Sequence, residues 1–248
     1  MRLFYIFLLS IAPILSQEVS YDTAFSLYKE GEYAKSVSVI KALHIAGQKT
    51  FQSLYLEAHN NIRLNKLQTA TDKLEQALLK ENNPVAIIDL VKVLLKRGNI
   101  TQARELAQSS VVTYPENVDL RLIHAMTLYR SKRPKGALQE IEQIKTMGQN
   151  IGVDPLLMEA MIYYRLADYE KAEMSLKWVL EIEGENKEAL NNLALVLEKL
   201  ALRSGDDKER RSKLEDARFY LEKAREQDRE NQAITGNLER IAVLLNES

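Results

Sequence analysis

Few residues in this chain are placed to do chemistry. His44, His59 and His124 lie far apart, with none of the short spacings that bring metal ligands onto one helix face. Carboxylates are plentiful, as on any helical surface, but no nucleophile elbow, zinc motif or phosphate loop accompanies them. There is no cysteine, which excludes disulfides, thiolate metal sites, thiol catalysis and an acylated lipoprotein anchor. The sequence thus offers no catalytic residue, no cofactor-binding residue and no metal ligand, and it points away from an enzyme.

What recurs instead is rows of large side chains. Tyr21, Phe25 and Tyr28 form one row at helical spacing, and Tyr55, His59 and Ile62 the next. Ile88, Lys92 and Leu95 follow, then Leu122, Met126 and Tyr129, then Leu157, Met161 and Tyr164. The last row turns polar, with Asn191, Leu195 and Glu198. Tyrosine offers wide contact area with a polar tip, and methionine adapts to varied shapes. Rows of this kind left facing solvent mark a surface that holds an extended peptide or a short helix. Many of these side chains are also expected to pack between neighbouring helices.

The elements that carry the rows are set by a period. Small residues recur at Ala24, Ala58, Val91, Ala125, Ala160 and Ala194, with gaps of 34, 33, 34, 35 and 34. A second series keeps step at Ser36, Ala70, Ala103, Ala137, Ala172 and Ala217, its last gap stretched to 45. A period near 34 is that of stacked helix pairs, each unable to bury its apolar face alone. Turns fall at Gly31-Glu32-Tyr33, Asn65-Lys66-Leu67, Gly98-Asn99-Ile100, Lys132-Arg133-Pro134 and Ala167-Asp168-Tyr169. Gly and Asn suit a left-handed helix end, while Asn99 and Asp168 can cap the helix that follows. Pro134 fits a helix start, and Pro84, Pro115 and Pro155 punctuate the array between pairs. The β-leaning stretch from Val111 to Tyr114 lies where a helix should end. The stretched gap adds eleven residues near 203–213, crowded with charge. Asp206 with Arg210, Asp207 with Arg211 and Glu209 with Lys213 are favourable four-residue pairs there. Eleven residues make about three helical turns, so the helices can lengthen in phase, and a projecting, solvated helical extension or loop is expected. Ile234, Leu238, Ile241 and Leu245 then give one apolar stripe, a helix that closes the stack.

The stretch from Pro155 to Glu185 resembles the tetratricopeptide repeat. It carries Ala160, Tyr163, Tyr169, Ala172, Leu176 and Val179 at that family's spacing, and Glu188-Ala-Leu-Asn-Asn-Leu-Ala194 resembles its first helix. The resemblance extends over six degenerate units, from about Val19 to Asn231. It implies an all-α, right-handed superhelix of antiparallel helix pairs, with a capping helix at 231–248. It also implies that the rows above line a concave groove for a protein or peptide partner. There are departures. The family's early tryptophan is replaced by residues such as Leu54, Ile87, Leu156 and Leu190, and Glu57 and Glu159 stand where an apolar residue is usual. The clamp with which some family members grip an acidic C-terminus is not supported, because Tyr21, Phe25, Ile88 and Leu122 occupy its aligned positions.

Charge and the N-terminus bear on partner and place. With 34 basic and 35 acidic residues the net charge is −1, which argues against nucleic acid as a partner. Arg63, Lys66, Lys96, Arg97, Arg130, Lys132, Arg133, Lys135 and Arg165 cluster near first-helix C-termini, where cations complement the helix dipole. A ridge of them could also touch an anionic lipid or polymer. Arg2, the apolar run Leu3 to Leu15 and small Ser16 read as a secretory signal peptide over 1–16, leaving repeats over 17–230. The expectation is an exported, periplasmic scaffold. If the leader is kept, the alternative is a membrane-anchored structural subunit of a cell-envelope assembly.

Overall fold

The computed structural model describes residues 19–148 and 151–247. The proposed leader over 1–16 lies outside them. The described residues form thirteen α-helices and no strand. The chain divides into two compact units, one ending at Ile123 and the other starting at His124.

The first unit holds α1 (Tyr21–Lys29), α2 (Tyr33–Ile45), α3 (Phe51–Arg63), α4 (Leu67–Leu78), α5 (Pro84–Lys96) and α6 (Ile100–Thr113). The helix α7 (Val118–Arg130) begins in it and ends in the second unit. The second unit continues with α8 (Pro134–Thr146), α9 (Val153–Leu166), α10 (Tyr169–Ile182), α11 (Lys187–Arg203), α12 (Asp207–Gln227) and α13 (Gln232–Asn246). From α1 to α6 and from α8 to α13, each helix packs on the next.

Both small series are buried throughout, from Ala24 and Ser36 to Ala194 and Ala217. Ser36 adds a polar contact: its Oγ donates to the Ala24 carbonyl at 2.7 Å and accepts from Asn60 Nδ2 at 2.9 Å. The hydroxyl thus ties α2 to α1 where alanine pairs rely on contact alone. Around these sites larger apolar side chains fill the spaces. In the second unit a single core runs from Leu156 through Leu176, Leu190 and Leu214 to Ile241.

Helix starts and ends follow local chemistry. Ser20, Thr50, Asn83, Asn117, Asn186 and Asn231 each accept a hydrogen bond from the backbone of the first turn they precede. The first helices of successive pairs end on residues with positive φ: Gly31, Asn65, Gly98, Lys132 and Ala167. Glycine adopts this geometry freely, whereas Lys132 and Ala167 meet a steric cost of about 1–2 kcal/mol each.

Three expectations change and one is met. Asn99 precedes α6 but its side chain caps nothing, while Asp168 does accept from the Lys171 N–H. Pro155 lies inside the first turn of α9 and not between pairs, while Pro84 and Pro134 open α5 and α8. The eleven extra residues take the helical form of the expected extension: α11 and α12 lengthen to 17 and 21 residues around a three-residue turn at Ser204–Asp206. Two of the three expected charge pairs there are replaced, because Asp206 caps α12 with its carboxylate. Arg210 pairs with Asp207 and Arg211 with Glu215, and only Glu209 with Lys213 forms as expected, at 3.8 Å.

Candidate functional site

In the first unit the rows of α1, α3 and α5 meet on one face. Tyr21 and Phe25 are 38% and 37% exposed, and Tyr28, Tyr55, His59, Ile62 and Ile88 are half-buried. The rings form a continuous patch. Tyr21 stacks on Phe25 and Phe25 on Tyr28, with centroids 6.1 and 6.5 Å apart. Tyr28 meets His59 edge-on at 6.4 Å, and His59 meets Tyr55 at 4.5 Å. Leu95 belongs to the core instead, and Lys92 is exposed. Leu122, on the first part of α7, is half-buried.

Asp89 stands among these rings. Its Oδ2 accepts from the Tyr55 hydroxyl at 2.5 Å and lies 3.1 Å from His59 Nε2. Burial acts to raise the Asp89 carboxyl, but the hydrogen bonds from His59 and Tyr55, with nearby Lys92, outweigh it and hold it below the usual value. Burial, then the bond to Asp89, pushes the Tyr55 hydroxyl well above its ordinary range.

In the second unit the rows of α7, α9 and α11 enclose a cleft of about 230 Å³. Tyr129, Met161, Tyr164 and Leu195 give it an apolar wall, and Glu188 and Asn192 add polar groups. Met126 is half-buried, as are Tyr129, Met161 and Tyr164, while Leu157 sits in the core. The Arg165 guanidinium lies 3.7 Å over the Tyr129 ring and donates to the Tyr129 carbonyl at 2.6 Å. That contact fixes one wall of the cleft. Asn191, expected in the same surface, accepts instead from Asn237 of α13 at 3.0 Å. Glu198 is likewise engaged, accepting two bonds from Arg240 at 3.0 and 2.7 Å. The last helix therefore covers the polar end of the rows as the next first helix of the series would.

Several expected cations also serve the fold. Arg97 donates to Thr71 at 2.9 Å and to Gln68, and Arg165 holds the preceding turn as described. The three histidines are structural or ring neighbours. His124 is buried with Nδ1 3.3 Å from Glu140, and His44 shares Ser53 and Glu57. Burial, with Lys73 and Lys49, lowers the His44 value against the pull of Glu57. Among the described residues no group of three or more His, Cys, Asp or Glu is arranged to hold a metal ion.

Three features escaped sequence reasoning. One is Asp89, discussed above. The second is the partnering of the misfit glutamates. Glu57 on α3 pairs with Lys73 at 3.0 Å, and Glu159 on α9 binds Lys145 of α8 while accepting from Ser175 Oγ at 2.8 Å. The third is an outward row on α10: Met174 and Trp178 are 71% and 45% exposed, with Ile182 one turn on. Their four-residue spacing, out of register with Ala172, Leu176 and Val179, was the available signal.

Comparison with known proteins agrees with this architecture. A family model described as "Tetratricopeptide repeat" matches residues 88–150, the third and fourth units, and not the Pro155–Glu185 stretch that carries the motif most fully. A sequence comparison with curated proteins returns no match. A tetratricopeptide repeat protein from Parabacteroides merdae is similar in structure, with a TM-score of 0.64 and 14% identity over 89% of this chain and 96% of its own. Cut9–Hcn1, an APC/C hetero-tetramer, gives 0.68 and 13% identity, over 89% of this chain and 42% of that one. The human IFIT1 dimer with PPP-AAAA gives 0.63 and 14%, over 89% and 55%. The described helices therefore take the fold of tetratricopeptide repeat proteins, and residues 88–150 carry the repeat in their sequence.

Proposed function

We propose that this chain is a non-catalytic scaffold that binds a protein or peptide partner through the half-buried aromatic rows of its first helices. One observation carries the reading: the cleft walled by Tyr129, Met161, Tyr164 and Leu195, apolar yet open to solvent. An apolar ligand surface of this chemistry suits side chains of a peptide or helix. The Cut9–Hcn1 neighbour is itself an assembly of two proteins. The IFIT1 neighbour holds PPP-AAAA, but the balanced charge and apolar rows here favour protein over a polyanion.

The test is a paired substitution. Tyr129→Ala with Tyr164→Ala lowers recovery of the partner by in-cell cross-linking at least tenfold, while far-ultraviolet circular dichroism keeps its helical signal. Truncating two contact tyrosines at 1–2 kcal/mol or more each is sufficient for that loss. Undiminished recovery removes the cleft from the account.

The place of action is also proposed. The apolar run Leu3 to Leu15 after Arg2 supports export to the periplasm with cleavage after Ser16. No described helix is long and apolar enough to cross a membrane. The same run, if retained, supports the envelope-anchored reading. N-terminal sequencing of the protein from fractionated cells separates the two. Gln17 as first residue supports the cleaved, periplasmic form, and an intact Met1 in the membrane fraction overturns cleavage in favour of the envelope-anchored form.

A further inference from the structure

The aromatic face of the first unit has at its centre a carboxylate held by two ring side chains, Tyr55 and His59. Asp89 lies on an otherwise apolar stretch of α5, Pro84 to Leu95, in which Lys92 is the one other charged residue. Its side chain is 19% exposed, so it is neither lost in the core nor freely solvated. Both hydrogen bonds that reach it among the described residues end on Oδ2. A carboxylate has about four acceptor positions, so Oδ1 keeps acceptor capacity toward solvent. Tyr55 and His59, both from α3, hold the group in one orientation, and Tyr28 closes against His59.

Ring faces are electron-rich and attract cations. This patch already does so within the chain. Lys29 Nζ stands 4.5 Å over Phe25, and the Arg63 guanidinium 5.8 Å over Tyr33. A fixed anion walled by such rings is complementary to a positive side chain that brings both a charge and a flat or apolar stem.

We propose that Asp89, with the rings of Tyr28, Tyr55 and His59, recognises an arginine or lysine side chain of the bound partner. This rests on the reading of the first-helix rows as a protein-binding surface and adds what the partner must carry. Other charges nearby set the strength. Lys92 projects from the next turn of α5, is exposed, and acts on Asp89 electrostatically. It therefore competes with an incoming cation, and the site is selective without being tight.

The probe is N-acetyl-arginine methylamide, titrated into the full chain while the ring signals of Tyr55 and His59 are followed by nuclear magnetic resonance. Its neutral isostere, the citrulline compound, is the control. Arginine is expected to give saturable shifts at these rings and citrulline none. Asp89→Asn, which preserves the shape of the group, weakens arginine binding about tenfold, the worth of one charge-assisted bond. Lys92→Ala touches neither hydrogen bond of Asp89 and is expected to strengthen binding two- to fivefold. Equal shifts with citrulline, or none with arginine on the folded wild type, overturn the proposal. The outcome is separable from the groove reading. Lost arginine selectivity with partner recovery still abolished by the tyrosine pair sinks the cation site alone. Selective arginine binding with recovery unaffected by that pair sinks the cleft and leaves Asp89 standing.

Discussion

Lys145→Met lowers the stability of the folded chain by about 3–4 kcal/mol at pH 7. The reason lies under the side chain. Glu159 is 3% exposed and, without Lys145, keeps only the Ser175 hydroxyl as a partner. A buried carboxylate with no counter-charge takes up a proton instead. Protonating a glutamate of ordinary value near 4.3 at pH 7 costs about 3.7 kcal/mol, which bounds the loss. That figure agrees with the 3–5 kcal/mol typical of breaking a buried pair from one side. The sign of the pH dependence follows. In the parent, burial acts to lower Lys145, but its bonds to Glu159 and Glu142 outweigh this and raise it. Its contribution is therefore complete below the ordinary lysine value and lost only as pH rises through the raised one. Thermal denaturation at pH 7 and at a pH above the ordinary lysine value measures both points. The double variant Lys145→Met with Glu159→Leu should regain most of the loss, since an apolar pair needs no desolvation. A single variant that melts with the parent at pH 7 would mean the carboxylate is already hydrated or neutral.

Ala172→Leu is the second large effect, at about 1–3 kcal/mol. Ala172 is fully buried on α10 where it meets α9 near Ala160, and neither has room for three more carbons. The helices must part, and contacts around Leu156 and Leu176 loosen with them. Met174→Leu, on the same helix but exposed, should leave the melting temperature unchanged. A leucine at 172 that is equally silent would place the packing register elsewhere.

The period made the fold legible. Two small series in step located every helix pair, since close approach of helices demands small side chains at fixed intervals. The ends of first helices were legible for the same reason at Gly31, Asn65 and Gly98, and were marked at Lys132 and Ala167 by position alone. Pairing between helices was not legible. Glu57 and Glu159 stood out as misfits, yet nothing local named Lys73 and Lys145 as their partners, which lie on different sides in sequence. Asp89 was hidden for a similar reason. Its two donors come from the preceding pair, so a row read one helix at a time saw only Ile88 and Lys92. Leu95 and Leu157 are among the row members that pack between neighbouring helices; which members do so was not legible, because a 3.6-residue period fixes direction around a helix, not the depth at which neighbours cover it. The bond from Asn237 to Asn191 was not legible because α13 was read as a lid on the stack's end and not as a partner for that row. Charge density near 203–213 indicated solvent, and an insertion about three turns long allowed the two lengthened helices that form there.

The arginines that bridge successive turns have an evolutionary corollary. Arg165 reaches the carbonyl of Tyr129 and Arg203 that of Ala167, each 36 positions back, with its guanidinium over a ring of the unit before. A deletion or insertion between such an arginine and its target would pull the strut off its seat. The eleven-residue expansion begins just past Arg203, beyond the final strut, where new turns of α11 can grow against new turns of α12. Length variation among descendants of this chain should therefore concentrate at that hairpin tip and be purged from the turns before it.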